Sequence, residues 1–391
     1  MTEIQATSTF GGEPFAESRG LPAWTYRSKA LLELEYKRVI LPSWQFACHI
    51  SEVAAPGDYT TLELLHDSIL VMRGQDGVLR AFKNVCRHRG ATLLHGRGRC
   101  QGPIVCPYHG WTYRQDGELR SILAPRSFPE ADRSKLGLEP VELEVFHGLV
   151  FVRVIPGGIS VAEMWGDLGK HLEPFHLERL RRADRTVADE QVWECNWKAA
   201  VDNNLENYHV PIGHPGYARL LDLGPGDVAN EHGVYGSITT LKDDSANWTE
   251  KRYQRLAPSV DTGRPEETRR TWLFFTMPPN LGIDVYPDSI DVFQMLPRSA
   301  TTATVRCPTY RLPEEARDLR ALRYLNSRIN RQVLQEDREL CERVQRGMSA
   351  HGYQPGPLST LEVAIREFHD IIHKVVPEVR LAEEPAAWAG A

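Results

Sequence analysis

Two short segments of the sequence each place one cysteine close to one histidine. One residue separates Cys86 from His88, and two residues separate Cys106 from His109. In such a set two thiolates can hold one iron while two imidazoles hold a second, and the imidazoles raise the reduction potential above that of an all-cysteine cluster. The four residues therefore predict a Rieske [2Fe–2S] centre, which stores one electron at a time.

A tetrahedral zinc site is the alternative for the same four residues, because zinc accepts the same ligand types. Zinc fingers pair cysteine with cysteine and histidine with histidine, whereas each segment here supplies one of each, which favours the cluster. The remaining cysteines lack such partners. A total of seven in 391 residues is unlike the dense, even sets of secreted disulfide proteins. We expect the others to be buried thiols in a reducing compartment.

A second group of candidate ligands lies further along the chain. Glu206 and His209 are three residues apart and would share one face of a helix. On a straight helix His214 would point about 140° away from His209, but Pro211 and Gly213 break the helix and let His214 turn back. Two histidines and a distant carboxylate form the facial triad of non-haem Fe(II) oxygenases, which leaves positions open for O2 and substrate. For that carboxylate, spacing alone does not separate the acids at 336, 337 and 339.

Two stretches that differ in their pattern of apolar residues must position these candidate ligands. From 57 to 152 apolar residues alternate between turn signals, which predicts a small antiparallel β module carrying the cysteine and histidine loops. After a connector at 156–158, the pattern predicts a helix over 194–208, strands over 270–277, 281–286, 290–296 and 303–310, and helices over 314–348 and 359–375. The polar stretch 241–270 fits either a mobile lid or a solvated surface excursion.

Charge and hydropathy limit the partners that the chain can have. The formal net charge is −6, and the sequence lacks the basic stripes that nucleic-acid binding needs. The polar N-terminus lacks the features of a signal peptide, and no run reaches the ~18 apolar residues of a membrane span. We therefore expect a cytoplasmic protein that binds neither nucleic acid nor membranes.

Together these motifs resemble the α subunits of the Rieske non-haem iron ring-hydroxylating oxygenases. The resemblance extends over 44–375 and rests on Cys-x-His before Arg-Gly, Cys-x-x-His before Gly-Trp, Asn-Trp-Lys, Glu-x-x-His-x4-His and a late Glu-Asp. It implies an α+β protein with a Rieske β-sandwich domain at 44–156 and a catalytic domain at 157–380, in which helices grip an antiparallel sheet (helix-grip, START/Bet v 1-like). Residues 1–43 would pack on the catalytic domain. The Ala/Pro-rich tail 381–391 would be disordered.

The resemblance also implies roles for individual residues. The cluster ligands would be Cys86, His88, Cys106 and His109, and the iron ligands would be His209, His214 and Asp337. Glu336 and Glu339 are then interpreted as solvent-facing charges. Glu206 would be the bridging acid of a head-to-tail homotrimer, bonded to His109 of one subunit and His209 of another. Aromatic dihydroxylases usually carry Asp there, and Glu is more similar to the monooxygenating and demethylating branches, including those acting on quaternary ammonium compounds.

The implied activity is that of a terminal oxygenase, which uses NAD(P)H and O2 to hydroxylate a small organic substrate, with N- or O-demethylation as one outcome. The chain has no Gly-x-Gly-x-x-Gly fingerprint, so a separate flavin or iron–sulfur reductase would oxidise NAD(P)H, directly or through a ferredoxin. Ring cis-dihydroxylation, and Rieske electron transfer without oxygenase activity, are the alternatives. Five aromatic residues are candidates for the substrate pocket, with ordinary core packing as the alternative for each: Trp272, Phe274, Phe275, Tyr286 and Phe293.

Overall fold

Two antiparallel sheets, one in each half of the chain, organise the structure. The computed structural model describes residues 19–130, 132–183, 189–223, 226–314 and 316–388. Residues 1–18 of the predicted N-terminal segment and 389–391 of the predicted tail lie outside the described residues. The α+β class that the sequence predicts is confirmed.

The first sheet belongs to the module that carries the cysteine and histidine loops. Its strands are β1 (Gln45–His49), β2 (Asp58–Glu63), β3 (Ser68–Arg73), β4 (Leu79–Lys83), β5 (Arg97–Arg99), β6 (Ile104–Val105), β7 (Thr112–Tyr113), β8 (Leu119–Ser121), β9 (Pro140–Phe146) and β10 (Leu149–Arg153). Within the described residues seven of them pair in the order β1-β10-β9-β4-β3-β2-β5, and β6, β7 and β8 form a small separate sheet. One cysteine–histidine loop follows β4, and the other connects β6 to β7.

The second sheet forms the scaffold of the larger half. Its strands are β11 (Arg181–Arg182), β12 (Glu190–Trp193), β13 (Leu221–Asp222), β14 (Asp227–Ala229), β15 (Tyr235–Leu241), β16 (Thr271–Met277), β17 (Leu281–Val285), β18 (Ser289–Ser299), β19 (Thr302–Arg306) and β20 (Thr309–Arg311). The main path is β11-β20-β18-β17-β16-β15-β13, while β12 pairs with β19, β19 with β18, and β14 with β15. The four strands that the sequence predicts in this region are all present.

A long helix packs on one face of the second sheet. The helices are α1 (Lys29–Glu35), α2 (Val161–Trp165), α3 (Trp197–Asn204), α4 (Val210–Gly213), α5 (Pro215–Leu220), α6 (Trp248–Leu256), α7 (Arg317–Met348) and α8 (Val363–Val375). Helix α2 lies on the other face, where the Trp165 ring packs against Phe275 at 5.3 Å. Leu322 and Ile329 of the long helix α7 share a buried apolar cluster with Trp272 and Tyr286 of the sheet. In the described part of the chain, no helix combines the length and apolar character needed to span a membrane.

The opposite face of the second sheet packs on the first module. Phe46 and Phe151 of the first sheet lie in one buried cluster with Leu273, Phe275 and Ile283 of the second. Side chains alternate between the two faces of a strand, so the residues on either side of Leu273 and Phe275 point towards the helices. The helix-facing side of the sheet is therefore the side on which a site can form.

The Asn-Trp-Lys motif begins α3 and holds the N-terminal segment. The Asn196 side chain caps the helix by accepting a hydrogen bond from the backbone N–H of Lys198 at 3.0 Å. The Lys198 ammonium lies 2.8 Å from Oε1 of Glu35, and both side chains are almost fully buried. Trp197 donates its indole N–H to the other oxygen of Glu35 at 2.9 Å. The helix that leads to the second ligand group is thus fixed to α1 by a buried ion pair.

Three segments differ from the sequence-based expectations. The predicted helix over 194–208 is shorter, because the Asn196 cap starts α3 at Trp197 and the helix ends at Asn204. The polar stretch 241–270 contains α6, whose buried Tyr253 accepts a hydrogen bond from the indole of Trp272 at 3.2 Å, so this part packs on the core. In the predicted tail, the Trp388 ring packs edge-on against Trp24 at 6.1 Å, which differs from the disorder that its composition predicts.

Candidate metal centres and substrate cavity

The two cysteine–histidine loops have the same backbone geometry. In each loop the cysteine N–H donates to the carbonyl five residues later, at 2.8 Å for both Cys86 and Cys106. The carbonyl of each cysteine accepts a hydrogen bond from a glycine four residues later, Gly90 or Gly110. Both glycines have positive φ, a conformation that glycine adopts without a steric cost. Two matching loops therefore face each other and present their side chains to a common point.

The four predicted cluster ligands meet at this point. Cys86 and Cys106 are buried, and the rings of His88 and His109 lie 4.7 Å apart. Among the described residues, the Nδ1 atoms of both histidines are buried without a hydrogen-bond partner. Burial raises the pKa of the Cys86 thiol, and burial together with the nearby His88 lowers the pKa of His109. Two thiols and two buried ring nitrogens without hydrogen-bond partners fit the ligand requirements of a Rieske cluster.

Tyr113 is a residue of this centre that sequence reasoning missed. Its hydroxyl lies 3.2 Å from Sγ of Cys86 and accepts a hydrogen bond from the backbone N–H of Arg87 at 2.9 Å. A donor aimed at a ligand sulfur tunes the potential of an iron–sulfur cluster. Tyrosine on a short strand carries no signal of such a contact in the sequence.

The second predicted group also comes together. His209 lies just before α4, His214 lies between α4 and α5, and Asp337 lies on α7. The Nε2 atoms of the two histidines are 3.1 Å apart, and Oδ1 of Asp337 lies 2.8 Å from His214 Nε2 and 3.6 Å from His209 Nε2. The three ligand atoms fall within 4.8 Å of one another. Two imidazoles and one carboxylate on one side of an ion match the facial triad.

Two further carboxylates orient the histidine rings. Glu206 accepts hydrogen bonds from Nδ1 of His209 at 2.5 Å and from the backbone N–H of the same residue at 2.9 Å. Glu336 Oε2 lies 2.9 Å from Nδ1 of His214, so the expectation that Glu336 is a solvent-facing charge is wrong. With Nδ1 as the donor in both rings, each Nε2 lone pair points towards the metal position.

Burial and mutual hydrogen bonds shift the pKa values of His209, His214 and Asp337. Burial lowers the pKa of His209, but hydrogen bonds with Asp337 and Glu206 outweigh this effect and raise it to about 9. In His214 the same opposition between burial and the bond to Asp337 ends in a raised pKa. Burial alone would raise the pKa of Asp337, but the hydrogen bonds from both histidines lower it. The group thus keeps an ionised carboxylate beside two imidazoles, and a divalent cation would bind by displacing the protons that the raised pKa values favour.

A cavity of about 90 Å³ adjoins the three ligands. Two rows of residues on adjacent strands form its sheet side: Ser237, Phe274 and Asp284 in one, and Tyr235, Thr276 and Phe293 in the next, where Gly282 pairs with Thr276 and Phe293. A Cβ atom at Gly282 would lie 2.6 Å from Oδ1 of Asn204, so a larger residue would displace the Asn204 side chain. From the helix side come Asn204, Tyr217 and Asn330.

Two of the five predicted pocket residues do not belong to the cavity. Phe274, Phe275 and Phe293 contribute to its wall, but the Phe275 ring packs on the opposite face of the sheet against Trp165 at 5.3 Å. The described lining does not include Trp272 or Tyr286. These two rings lie one row further along the sheet and pack against each other at 4.5 Å, behind the cavity. Alternation separates Phe275 from the other four, but it does not show which row lies level with the candidate metal ligands.

Asp284 is the cavity residue with the most unusual environment. Only 8% of the residue is exposed, and its Oδ2 accepts a hydrogen bond from the Tyr286 hydroxyl at 3.3 Å. Burial, followed by the charges of Asp291 and Asp337, raises the pKa of Asp284 well above its ordinary value. Its position inside an otherwise apolar strand is the only feature of the sequence that indicates a special role for Asp284.

Comparison with known proteins gives matches over both halves of the chain. Residues 43–136 match the Rieske [2Fe-2S] domain family, and residues 177–378 match the ring hydroxylating alpha subunit (catalytic domain) family. The two matches together include both candidate metal centres. Similar curated proteins include the carnitine monooxygenase oxygenase subunit of Escherichia coli K12, which is 33% identical with 86% of each chain covered.

Two other curated relatives and two solved structures extend the likeness. The glycine betaine monooxygenase oxygenase subunit of Chromohalobacter salexigens is 28% identical (90% of this chain, 84% of the relative), and the choline monooxygenase of Beta vulgaris is 28% identical (91% and 76%). A quaternary ammonium Rieske monooxygenase in complex with L-carnitine has a TM-score of 0.75 at 26% identity (91% and 95%). Naphthalene 1,2-dioxygenase with indole bound has a TM-score of 0.72 at 23% identity (96% of each chain), which shows a common fold.

Proposed function

Because the chain belongs to the ring-hydroxylating α-subunit family, with a Rieske [2Fe–2S] domain and a catalytic domain, we propose that it hydroxylates a C–H bond next to the nitrogen of a quaternary ammonium compound. The chain is the oxygenase component of a multicomponent system and binds a [2Fe–2S] cluster and a mononuclear iron. As in this family, NAD(P)H supplies the electrons through a separate reductase, and O2 is the co-substrate.

The observation that carries the proposal is the aromatic cavity beside the three iron ligands. The rings of Tyr217 and Phe274 lie 5.9 Å apart in its wall, and Phe293 lies on the neighbouring row. Aromatic faces attract a methylated ammonium through cation–π interaction, and they leave its C–H bonds exposed. The substrates named in carnitine, glycine betaine and choline monooxygenases all contain such a group.

The chemistry balances as a monooxygenation. One oxygen atom of O2 enters a C–H bond, and the other leaves as water after taking up two electrons and two protons. A bound Fe(II) supplies the position at which O2 is reduced. A carbon that bears both hydroxyl and quaternary nitrogen then collapses to a carbonyl compound and an amine, with loss of a proton. An N-methyl carbon would leave as formaldehyde.

The residues of this chain hold and orient the parts of that reaction. His209, His214 and Asp337 would hold the iron on one side, so that the other side faces the cavity. Glu206 fixes His209 through one hydrogen bond from the ring Nδ1 and one from the backbone N–H. The aromatic side chains of the wall exclude water from the position where the C–H bond must lie, which limits the loss of reducing equivalents to side reactions.

The electron route in the proposal crosses a subunit boundary. Glu206 would join His209 of its own chain to His109 of a neighbour in a head-to-tail trimer. In support, apolar side chains stand exposed beside both centres: Tyr108 (56%) next to the cluster, and Tyr208 (58%) and Ile212 (88%) next to the iron ligands. Contact between these surfaces would bury all three. A ferredoxin between the reductase and the cluster is compatible with this arrangement.

The location that fits this proposal is the cytoplasm. The seven cysteines are all free thiols, and NAD(P)H is available there.

A single-turnover experiment tests the proposed reaction. The iron-loaded protein is reduced with dithionite in the absence of O2, mixed with choline, glycine betaine, carnitine or naphthalene, and then exposed to O2. We expect a carbonyl product and a dealkylated or oxidised amine from at least one ammonium compound, detected by mass spectrometry. A cis-diol from naphthalene, with no product from any ammonium compound, would instead identify a ring-dihydroxylating enzyme.

A further inference from the structure

We propose that the substrate is a net cation without a carboxylate, and that Asp284 selects it by supplying the counter-charge in the cavity wall. This inference rests on the proposed function, because it concerns the same cavity and the same class of nitrogen compound. It goes further by stating which quaternary ammonium compounds the cavity accepts and which side chain decides.

The position of Asp284 places its charge where a bound substrate must lie. It stands between Phe274 and Asp291 in one cross-strand row, and Phe274 and Asp284 both line the cavity. Neighbours in such a row have Cβ atoms about 5 Å apart. An ammonium group in contact with the Phe274 ring is therefore also within a few ångströms of the Asp284 carboxylate.

No lysine or arginine is among the described residues that line the cavity. Burial without such a partner favours the neutral form of Asp284, which is why its pKa is raised. A ligand that brings a positive charge favours the ionised form, so binding of a cation and ionisation of Asp284 support each other. The cavity is thus complementary to a cation even before the aromatic rings are considered.

Asp291 differs from Asp284 although the two face each other across β17 and β18. The Thr309 hydroxyl donates to Oδ1 of Asp291 at 2.5 Å, and the side-chain amide of Asn330 donates to Oδ2 at 3.2 Å. Asp291 is not among the described residues that line the cavity. It adds negative charge behind Asp284 but does not present an oxygen to the substrate.

The same charges oppose a carboxylate on the substrate. Carnitine and glycine betaine each carry one, whereas choline carries a hydroxyl group in its place. A third negative charge next to Asp284 and Asp291 in a low-dielectric cavity would be repelled. We therefore expect the preferred substrate to resemble choline in charge.

Matched pairs of compounds test this inference on the iron-loaded, full-length protein. Glycine betaine is compared with its primary amide, and carnitine with its primary amide, since each amide removes only the negative charge. Choline is compared with 3,3-dimethyl-1-butanol, which has the same shape without the positive charge. Dissociation constants are measured by calorimetry without O2, and products by single turnover. We expect the two amides to bind at least about tenfold more tightly than glycine betaine and carnitine. Choline should bind at least about tenfold more tightly than 3,3-dimethyl-1-butanol.

Two variants that each remove one carboxylate show which acid causes the preference for cations. In Asp284→Asn the preference for cations should shrink severalfold or disappear, whereas Asp291→Asn should reduce it much less, because Asp291 adds charge behind Asp284 but does not line the cavity. Iron content and the cluster spectrum verify that each variant is folded. An unchanged preference in Asp284→Asn would overturn the role of this residue.

The outcomes separate this inference from the proposed function. If glycine betaine and carnitine bind as well as their amides and yield carbonyl products, the selection of net cations is wrong while the proposed function stands. If no ammonium compound binds or reacts, the proposed function fails and this inference fails with it.

Discussion

The Nδ1 atom of His214 lies 2.9 Å from Oε2 of Glu336, while Nε2 of the same ring lies 2.8 Å from Oδ1 of Asp337. Two consecutive residues of one helix therefore contact opposite nitrogens of one imidazole. Glu336 fixes the ring so that Nε2 carries the lone pair that would bind the metal, and Asp337 would supply the neighbouring ligand atom. The two acids thus contact opposite sides of one imidazole, and only Asp337 is placed to be a ligand.

Replacing Glu336 with Gln should weaken iron binding without removing it. The amide cannot accept the Nδ1 proton as strongly, so the ring loses basicity and a fixed orientation. Changes to such outer partners typically cost about 10–100-fold in metal affinity or activity. Competition with a chelator, read as iron content per chain, measures the loss.

Glu339→Gln is the control for that variant. Glu339 lies on the same helix, accepts a hydrogen bond from Gln335 and is more than half exposed. We expect wild-type iron affinity. Equal losses in both variants would mean that the charge of the helix, rather than the contact with His214, determines affinity.

Sequence reasoning predicted the grouping of candidate ligands that are close together in the chain. Cys86 and His88, and likewise Cys106 and His109, lie on single loops, so spacing alone restricts their geometry. His209 and His214 also meet, but not for the predicted reason, because α3 ends at Asn204 and the supposed helix breakers lie within the short helix α4. Asp337 lies more than 100 residues later, and the choice among the three acids needed the resemblance.

The rest could not be predicted because it depends on packing between distant elements. Glu336 and Asp337 point about 100° apart on a helix, and only the position of His214 between them gives both a role. Asp284 enters the cavity because β17 pairs with β16 in one particular register. Trp272 and Tyr286 point to the expected face of the sheet, but they lie one row away from the cavity. Register and row are properties of the assembled sheet.

Removing the Tyr113 hydroxyl should lower the reduction potential of the cluster. The hydroxyl already accepts a hydrogen bond from the N–H of Arg87, so its own proton is available to the sulfur of Cys86, 3.2 Å away. A donor to sulfur stabilises the more negative, reduced cluster. Redox titration of Tyr113→Phe, followed by electron paramagnetic resonance, should show the lower potential.

Tyr108→Phe serves for comparison. Tyr108 is exposed, and its hydroxyl accepts a hydrogen bond from Arg89 rather than donating to a sulfur. The reduction potential of the cluster in Tyr108→Phe should stay close to that of the wild type. A lower potential in this variant alone would show that the Tyr113 contact does not tune the cluster.

Breaking the buried ion pair between Lys198 and Glu35 should destabilise the protein strongly. Lys198→Met leaves the Glu35 carboxylate buried without its cation, which typically costs about 3–5 kcal/mol of the free energy of unfolding. Lys170→Met breaks an exposed pair with Asp167 and should change the free energy of unfolding little, because solvent and salt screen the pair. Urea denaturation followed by circular dichroism compares the two. Similar midpoints for both variants would contradict a structural role for the Asn-Trp-Lys motif.

Replacing Glu206 with Gln should interrupt electron transfer while both metals stay bound. The amide still fills the position but cannot hold the Nδ1 proton of His209 as a carboxylate does. After rapid mixing of the fully reduced, substrate-bound enzyme with O2, oxidation of the cluster should slow by about 10–100-fold. Without a chelator, iron content and the cluster spectrum should be unchanged, although the affinity for iron should fall as in Glu336→Gln. A normal rate of cluster oxidation would exclude Glu206 from the electron route.

Two inactive variants should restore activity together if electrons cross between subunits. Asp337→Ala should lose the mononuclear iron and all turnover but keep the cluster spectrum, because its change is confined to the second centre. His109→Ala should lose the cluster. In a head-to-tail ring assembled at random from equal amounts of both chains, roughly a quarter of the junctions place an intact cluster next to an intact iron site. Co-expressed chains should therefore recover roughly a quarter of wild-type turnover, whereas chains mixed after separate purification should recover less. If electrons passed within one chain, no mixture could be active, because every chain lacks one of the two centres.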